Sequence, residues 1–359
     1  MNRFAFVLFA LLVALPVSAR RPKDVANMHD VDLVYYGSRY RSIAWDEEWA
    51  RTHTTYTDST GQMHYLFDTF LLLELHTGTG RFFEPAFRPT HPRNEIGTTK
   101  ADWIQIVDTL LQVPTRNIDN ALDEAARKIG RPKYKRQVVM FIPVPTEGQT
   151  NWGELDGRAL DFNSTEDRIA ACKWFVDMVC ERFKEERYRN LSLAGFYWLA
   201  EDKNSGLTML PTITDYVRSL GMKTIWIPYY NAAGAAEWKK MGFDRAYYQP
   251  NYAFPRRVVY RERLYDAVKF AKEHDMCMEL EYDMHAVRSS NPDPLCDDRL
   301  VDYMEVFTET GMAEGPIAYY QDEGALCALQ NSPDSADVAL YHRFARFVAE
   351  RQHRLAERK

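Results

Sequence analysis

The run Met276-Cys277-Met278-Glu279-Leu280-Glu281-Tyr282-Asp283 reads as a β-strand whose alternate residues are acids. Side chains two positions apart share a face of a strand, so Glu279, Glu281 and Asp283 point the same way. Burying unpaired carboxylates costs several kilocalories per mole each, so packing alone gives little reason to write such a strand. A further acid, Glu201, ends the run Gly195-Phe196-Tyr197-Trp198-Leu199-Ala200-Glu201, on the face it shares with Gly195, Tyr197 and Leu199. Two carboxyls facing one another across a cleft are what glycosidic bond hydrolysis uses. One protonates the leaving oxygen, and the other attacks the anomeric carbon or activates water.

The expected roles are Glu201 as general acid/base and Glu281 as nucleophile, with Glu279 the alternative for the second role and otherwise a substrate ligand. Asp283 is expected at the rim, orienting a neighbour. The competing reading of Glu201 is an acid interacting with a helix N-terminus; for Glu281 it is a buried salt bridge to Arg39 or Arg288. Amides and phenols that bind sugar hydroxyls, and rings that stack on apolar sugar faces, complete such a site. Glu74, Tyr197, Tyr229, Asn231, Gln249, Asn251, Trp45 and Trp152 are the candidates, because they stand at the ends of apolar runs or in the segments that follow them. Asp322 and Glu323 read as solvated loop acids.

The elements that must position these residues follow from periodicity. Short apolar, β-rich runs at 32–37, 67–74, 138–145, 193–201, 223–230, 245–252, 276–283 and 316–323 alternate with amphipathic stretches, clearest at 166–189, 209–220, 261–274, 297–310 and 336–352. Asn163-Ser164-Thr165-Glu166 is a helix start, and Gly221 and Gly311 are helix stops. This pattern predicts an α/β chain folded as one (β/α)8 barrel of the TIM type with enlarged loops after its strands. An open doubly wound sheet is disfavoured, since no Gly-x-Gly-x-x-Gly follows the first strand. The long excursions at 38–66, 75–98 and 146–165 each follow a strand, which is the face where barrel enzymes carry their sites.

Residues 1–19 read as a secretory signal peptide: Arg3, an apolar run from Phe4 to Leu15, and a Val17-Ser18-Ala19 ending. Residues 20–359 are then the barrel, exported to the periplasm or beyond. No later apolar run approaches the roughly 20 residues of a membrane span. A formal charge of −6 argues against nucleic acid as a partner, and an aromatic content of 13% suits a carbohydrate surface. Five cysteines leave at least one unpaired within the chain. Cys172 and Cys180 lie too far apart on one helix to bridge, whereas Cys296 and Cys327 could meet. No metal-ligand spacing, nucleotide loop or Gly-x-Ser-x-Gly elbow occurs, so no metal or cofactor is expected.

Tyr35-Tyr36-Gly37, Ile142-Pro143-Val144-Pro145 with the later Trp152-Gly153-Glu154-Leu155-Asp156-Gly157, Gly195-Phe196-Tyr197-Trp198 with Glu201, Ile227-Pro228-Tyr229-Tyr230, and Tyr247-Tyr248-Gln249-Pro250-Asn251-Tyr252 together resemble the exported bacterial family called domain of unknown function 4855. The resemblance spans nearly the whole chain after residue 19. It implies a glycoside-hydrolase-like barrel, a setting like that of glycan-degrading gut Bacteroidetes, and a carbohydrate substrate. The layout is also similar to barrel glycosidases with an acid/base at strand four and a nucleophile at strand seven. Those usually place Asn directly before the acid/base, where this chain has Ala200. That departure keeps open a glycan-binding protein without turnover, and, behind it, a carbohydrate lyase or deacetylase.

Overall fold

The computed structural model describes residues 28–36, 45–84, 91–203, 206, 208–254, 260–290, 294–322 and 324–357, with backbone alone over 294–298. Residues 1–19, expected as a leader, and Arg39, Glu323 and the Cys296 side chain lie outside what is described. Eight parallel strands close into a barrel: β1 (Asp30–Tyr35), β2 (Thr69–Leu73), β3 (Arg136–Ile142), β4 (Leu191–Trp198), β5 (Lys223–Trp226), β6 (Arg245–Tyr248), β7 (Cys277–Glu281) and β8 (Ile317–Tyr320). β8 pairs back on β1, Asp30 opposite Ile317 and Asp32 opposite Tyr319. Every expected apolar run supplies one barrel strand. Their near-continuous hydrophobicity suits strands buried on both faces, by side chains inside the barrel and by helices outside.

The covering helices are α1 (Glu47–Thr54), α2 (Lys100–Leu110), α3 (Arg116–Ile129), α4 (Thr165–Glu186), α5 (Leu210–Ser219), α6 (Glu262–Glu273), α7 (Pro294–Glu309), α8 (Ala325–Gln330) and α9 (Ser335–Glu357). Ser164 caps α4 by accepting from the Asp167 amide, and Thr99 with Asp102 forms a reciprocal capping box on α2. α2 and α3 are one bent helix joined by a π-type turn, Leu111–Thr115, that contains Pro114. Proline removes a helix donor and crowds the preceding turn. The wider turn relieves the crowding, and Thr115 Oγ1 donates to the Leu110 carbonyl at 2.7 Å.

Two details depart from the regular alternation. The β5–β6 crossover holds no α-helix, only a 3₁₀ turn at Ala235–Glu237 between Gly234 and Gly242, both at positive φ. And the first long excursion does not lie wholly at the strands' C-terminal end. Its second half is a hairpin, Thr55–Thr57 with Met63–Tyr65, that follows α1 and sits at the barrel foot, where Tyr65 Oη donates to the Gly130 carbonyl behind α3 at 2.9 Å. The second and third excursions do stack at the C-terminal end: the Thr150 amide donates to Asn94 Oδ1 at 2.8 Å and Asn151 Nδ2 to the Asn94 carbonyl at 3.0 Å, and the Val144 amide, just past β3, donates to the Phe83 carbonyl at 2.8 Å.

One bulge matters for the site. Leu193 of β4 pairs with Val138 but Gly195 with Val139, leaving Ala194 as an extra residue that re-aims the strand's upper half. Gly195 is required there, since a Cβ would meet the Lys223 carbonyl oxygen at 2.2 Å. At the foot, Asp30 accepts from Arg351 Nε (2.7 Å), Tyr319 Oη (2.7 Å) and Gln352 Nε2 (2.5 Å), which ties β1, β8 and α9 together. Outside the wall, His53 of α1 meets Asp32 at 2.6 Å.

Candidate active site

The acids of β4 and β7 converge at the C-terminal mouth of the barrel. Glu201 lies three residues past the end of β4, and Glu279 and Glu281 are on the last turn of side chains of β7. Glu281 and Glu279 are each 1% exposed, forming the floor, while Glu201 is half-buried and opens toward the mouth. Hydrogen bonds through Gln249 and Asn251 link Glu201 to Glu281, and the charge of Glu201 adds to what disfavours ionisation of Glu279 and Glu281. Tyr197 is buried too, its hydroxyl pushed well up chiefly by burial and then by Glu201, Tyr35, Glu279 and Glu84.

With no guanidinium or ammonium beside them among the described residues, burial pushes these carboxyls up. Glu201 rises to about 7, chiefly through burial, against a hydrogen bond from Gln249 and with added repulsion from Asp202. Glu281 also rises to about 7, again chiefly through burial; hydrogen bonds from Tyr303 and from the Asn251 and Tyr252 backbone oppose it. Glu279 lies well above the usual carboxylate range because burial and both neighbouring acids disfavour its charge. Its Oε1 has no hydrogen-bond partner. Acids held protonated near neutral pH are what proton transfer to a leaving oxygen needs.

Two amides and a phenol order the pair. Gln249 Nε2 donates to Glu201 Oε1 at 3.0 Å, and Asn251 Nδ2 donates both to Gln249 Oε1 (3.2 Å) and to Glu281 Oε1 (3.3 Å). Tyr303 Oη donates to Glu281 Oε2 at 2.5 Å. Tyr229 is half-buried beside them, its hydroxyl donating to Asp202 at 3.4 Å.

The other sequence candidates are placed as follows. Asp283 caps a 3₁₀ turn by accepting from the His285 amide at 2.9 Å and pairs with the His285 ring at 3.0 Å, so it orders the rim. Glu74 ends β2 with its carboxyl turned onto its own chain, accepting from the Leu75 amide at 2.8 Å. Asn231 is exposed at φ +63°, its amide donating to Tyr248 Oη at 2.8 Å.

Trp45 and Trp152 are corrections: they are 0% and 1% exposed, so neither offers a ring to a sugar. Trp45 packs on His53 and Trp49 and donates to the Tyr35 carbonyl at 2.5 Å. Trp152 lies edge-on to Trp103 and Trp174 beneath the third excursion. Both are large rings that fill the space between loops and barrel wall. The Arg288 ion-pair reading is not realised, since Glu281 has Tyr303 and Asn251 as its partners, and Arg39 lies outside the described residues. Nor is Glu201 a helix-terminal acid, since α5 has none in its first turn.

Sequence reasoning missed Tyr303, which lies mid-helix on α7 and reads as an ordinary core tyrosine. It also missed the rings that do stand at the mouth: Tyr320 at the end of β8 lies edge-on to Tyr35 (5.7 Å) and to Phe254 (5.9 Å). Tyr35, Tyr36 and Tyr320 ending their strands was the available signal. Among the described residues, no cluster of His, Cys, Asp and Glu is arranged to hold a metal ion, and no helix is long and apolar enough to cross a membrane.

The family model described as Domain of unknown function (DUF4855) matches residues 30–346. The chain belongs to the DUF4855 family. The match runs from the first strand of the barrel into α9, so it takes in the whole mouth. No curated protein matches the chain significantly. Among solved structures, it is similar to a GH5-4 broad specificity endoglucanase from an uncultured bacterium (10% identity, 90% of this chain and 95% of that one, TM-score 0.47). It is similar also to the PgaB (BpsB) glycoside hydrolase domain from Bordetella bronchiseptica (10% identity, 87% and 98%, TM-score 0.46). A third is the tryptophan synthase a2b2 complex from the hyperthermophile Pyrococcus furiosus (10% identity, 90% and 98%, TM-score 0.37). These likenesses are of shape alone.

Proposed function

We propose that this DUF4855 protein is an exported glycoside hydrolase that cleaves an oligo- or polysaccharide by a retaining, two-carboxylate mechanism. The observation that carries the reading is the convergence of Glu201 and Glu281 from β4 and β7 on one mouth, both raised to about 7 by burial. Their hydrogen bonding separates the roles. Glu281 accepts on both oxygens, from Asn251 and Tyr303, which favours its ionised form and suits a nucleophile. Glu201 accepts on Oε1 alone, leaving Oε2 to carry the proton.

In the first step Glu201 gives that proton to the glycosidic oxygen as Glu281 attacks the anomeric carbon; the leaving sugar departs and a glycosyl ester forms on Glu281. In the second, Glu201 takes a proton from water, which displaces the ester and restores both carboxyls. Tyr320, Phe254 and Tyr229 are the rings and hydroxyls placed to hold the sugar, in the part first assigned to Trp45 and Trp152. Ala200 in place of an asparagine favours a second reading, glycan binding without turnover; its carbonyl accepts from Trp226 Nε1 at 2.7 Å.

A panel of plant and host glycans, assayed for released reducing ends, separates the two: binding without release supports the second. For a cleaved glycan, Glu201→Gln and Glu281→Gln should each lower kcat by about 10²–10⁴-fold or more. Unchanged turnover in either variant would remove that residue from the chemistry, and an inverted product anomer would remove the ester. Export is tested by N-terminal sequencing of the secreted protein, which should begin at Arg20.

A further inference from the structure

We propose that Gln249 and Asn251 are positioning residues whose side-chain amides form one bridge between Glu201 and Glu281, keeping the proton on the first carboxyl and the charge on the second. The proposal rests on the carboxylate pair above and goes beyond it, since it removes both amides from the set of sugar ligands.

The donor inventory carries the argument. A primary amide has two N–H donors. Those of Gln249 go to Glu201 Oε1 (3.0 Å) and to the Ile227 carbonyl (3.1 Å). Those of Asn251 go to Gln249 Oε1 (3.2 Å) and to Glu281 Oε1 (3.3 Å), and Asn251 Oδ1 accepts from the Tyr230 amide at 3.0 Å. All four donors are used within the protein.

Neither amide can be turned over. Flipping Gln249 would set its oxygen against the Ile227 carbonyl, and flipping Asn251 would set N–H against the Tyr230 N–H. The backbone defines the orientation, and the orientation presents N–H to both carboxyls. Two features aim the side chains. The Gln249 amide donates to the Pro228 carbonyl at 3.0 Å. Asn251 sits at φ +49°, a left-handed conformation that asparagine tolerates better than most residues.

The consequence differs at the two ends. Glu281 has Asn251 on one oxygen and Tyr303 on the other, so a proton there would break a bond. Among the described residues Glu201 accepts only the Gln249 bond, and its second oxygen takes a proton without losing one. Among the described residues, the other titratable groups facing the pair are Glu279, Asp202, Tyr197, Tyr229 and Tyr303, all acids or phenols. Asp202 adds repulsion at Glu201, whereas Tyr303 favours the charge on Glu281 through its hydrogen bond, so the division between the two follows the hydrogen bonds and is not undone by the nearby charges.

The test needs no substrate. Protein labelled with carbon-13 at the glutamate carboxyls is titrated by NMR, the Glu201 and Glu281 signals being assigned with their Gln variants. In the wild type Glu281 should ionise below Glu201. Asn251→Leu should raise the Glu281 midpoint, and Gln249→Met that of Glu201, by about one pH unit or more. Gln249→Glu, which keeps the size but swaps donor for acceptor, should move Glu201 further and serves if the apolar variants do not fold. Unchanged midpoints in folded variants, or Glu281 ionising above Glu201, would overturn the proposal. Shifted midpoints in a protein that cleaves no glycan would leave the bridge standing and remove the hydrolase reading instead.

Discussion

Acids are buried at both ends of this barrel, and their fates are opposite. At the foot, Asp30 is fully enclosed but meets the Arg351 guanidinium, Tyr319 and Gln352, and is held well below the usual carboxylate range although burial alone would raise it. Arg351 is itself satisfied by the Ala313 and Gly315 carbonyls. At the mouth, Glu279 and Glu281 are as deeply buried, yet among the described residues amides, a phenol and other acids are their neighbours, and they are pushed up. Burial by itself does not mark a site. A buried acid given a cation closes the fold, whereas one given none is kept ready to exchange a proton.

The contrast extends to pH. Asp30, lowered in the fold, contributes stability above its ordinary value of 3.8 that is lost only in strong acid. The mouth acids have the opposite sign. Raised above their ordinary value of 4.5, Glu201 and Glu281 favour the fold below that value, and the contribution is lost as pH rises through about 7. The mouth is therefore strained at neutral pH, where it would work, and the foot is not.

Breaking the foot should have the larger effect on stability. Arg351→Met leaves Asp30 charged and unpaired in the interior and should cost about 3–5 kcal/mol, read by urea unfolding at neutral pH. A loss below about 1 kcal/mol would mean that the surrounding hydrogen bonds suffice without the guanidinium. Glu279→Gln removes charge from the mouth while keeping its shape, so it should stabilise the protein. We expect a melting temperature higher by about 2–4 °C at mildly alkaline pH, with the gain disappearing below the ordinary glutamate value of 4.5. Destabilisation at alkaline pH would place Glu279 with Asp30 as an anchoring acid. Smallest is Asp283→Asn. Its partner His285 is well exposed, so the change should stay within about 1 kcal/mol in the same unfolding experiment.

Legibility followed the range of the interactions. All eight barrel strands could be read from apolar runs, because strand formation and two-sided burial leave a local pattern. α2 and α3 were less visible, since Pro114 interrupts the periodicity at a point that only a π-type turn accommodates. The hairpin at 55–65 was assigned to the mouth because sequence order does not tell which end of the barrel a segment after α1 occupies.

At the site, the amino-acid sequence by itself determined which acids share a strand face, Glu279 and Glu281 among them. It placed Glu201 at the end of the fourth strand, which in the structure stops three residues earlier at Trp198. The tertiary structure alone decided their partners. Trp45 and Trp152 went into packing, Gln249 and Asn251 turned their donors onto the carboxyls, and Tyr303 arrived from a helix more than twenty residues beyond Glu281. The physical reason is that a side chain's face is set by its neighbours along the chain, whereas its hydrogen bonds and its charge are set by whatever the closed barrel brings against it.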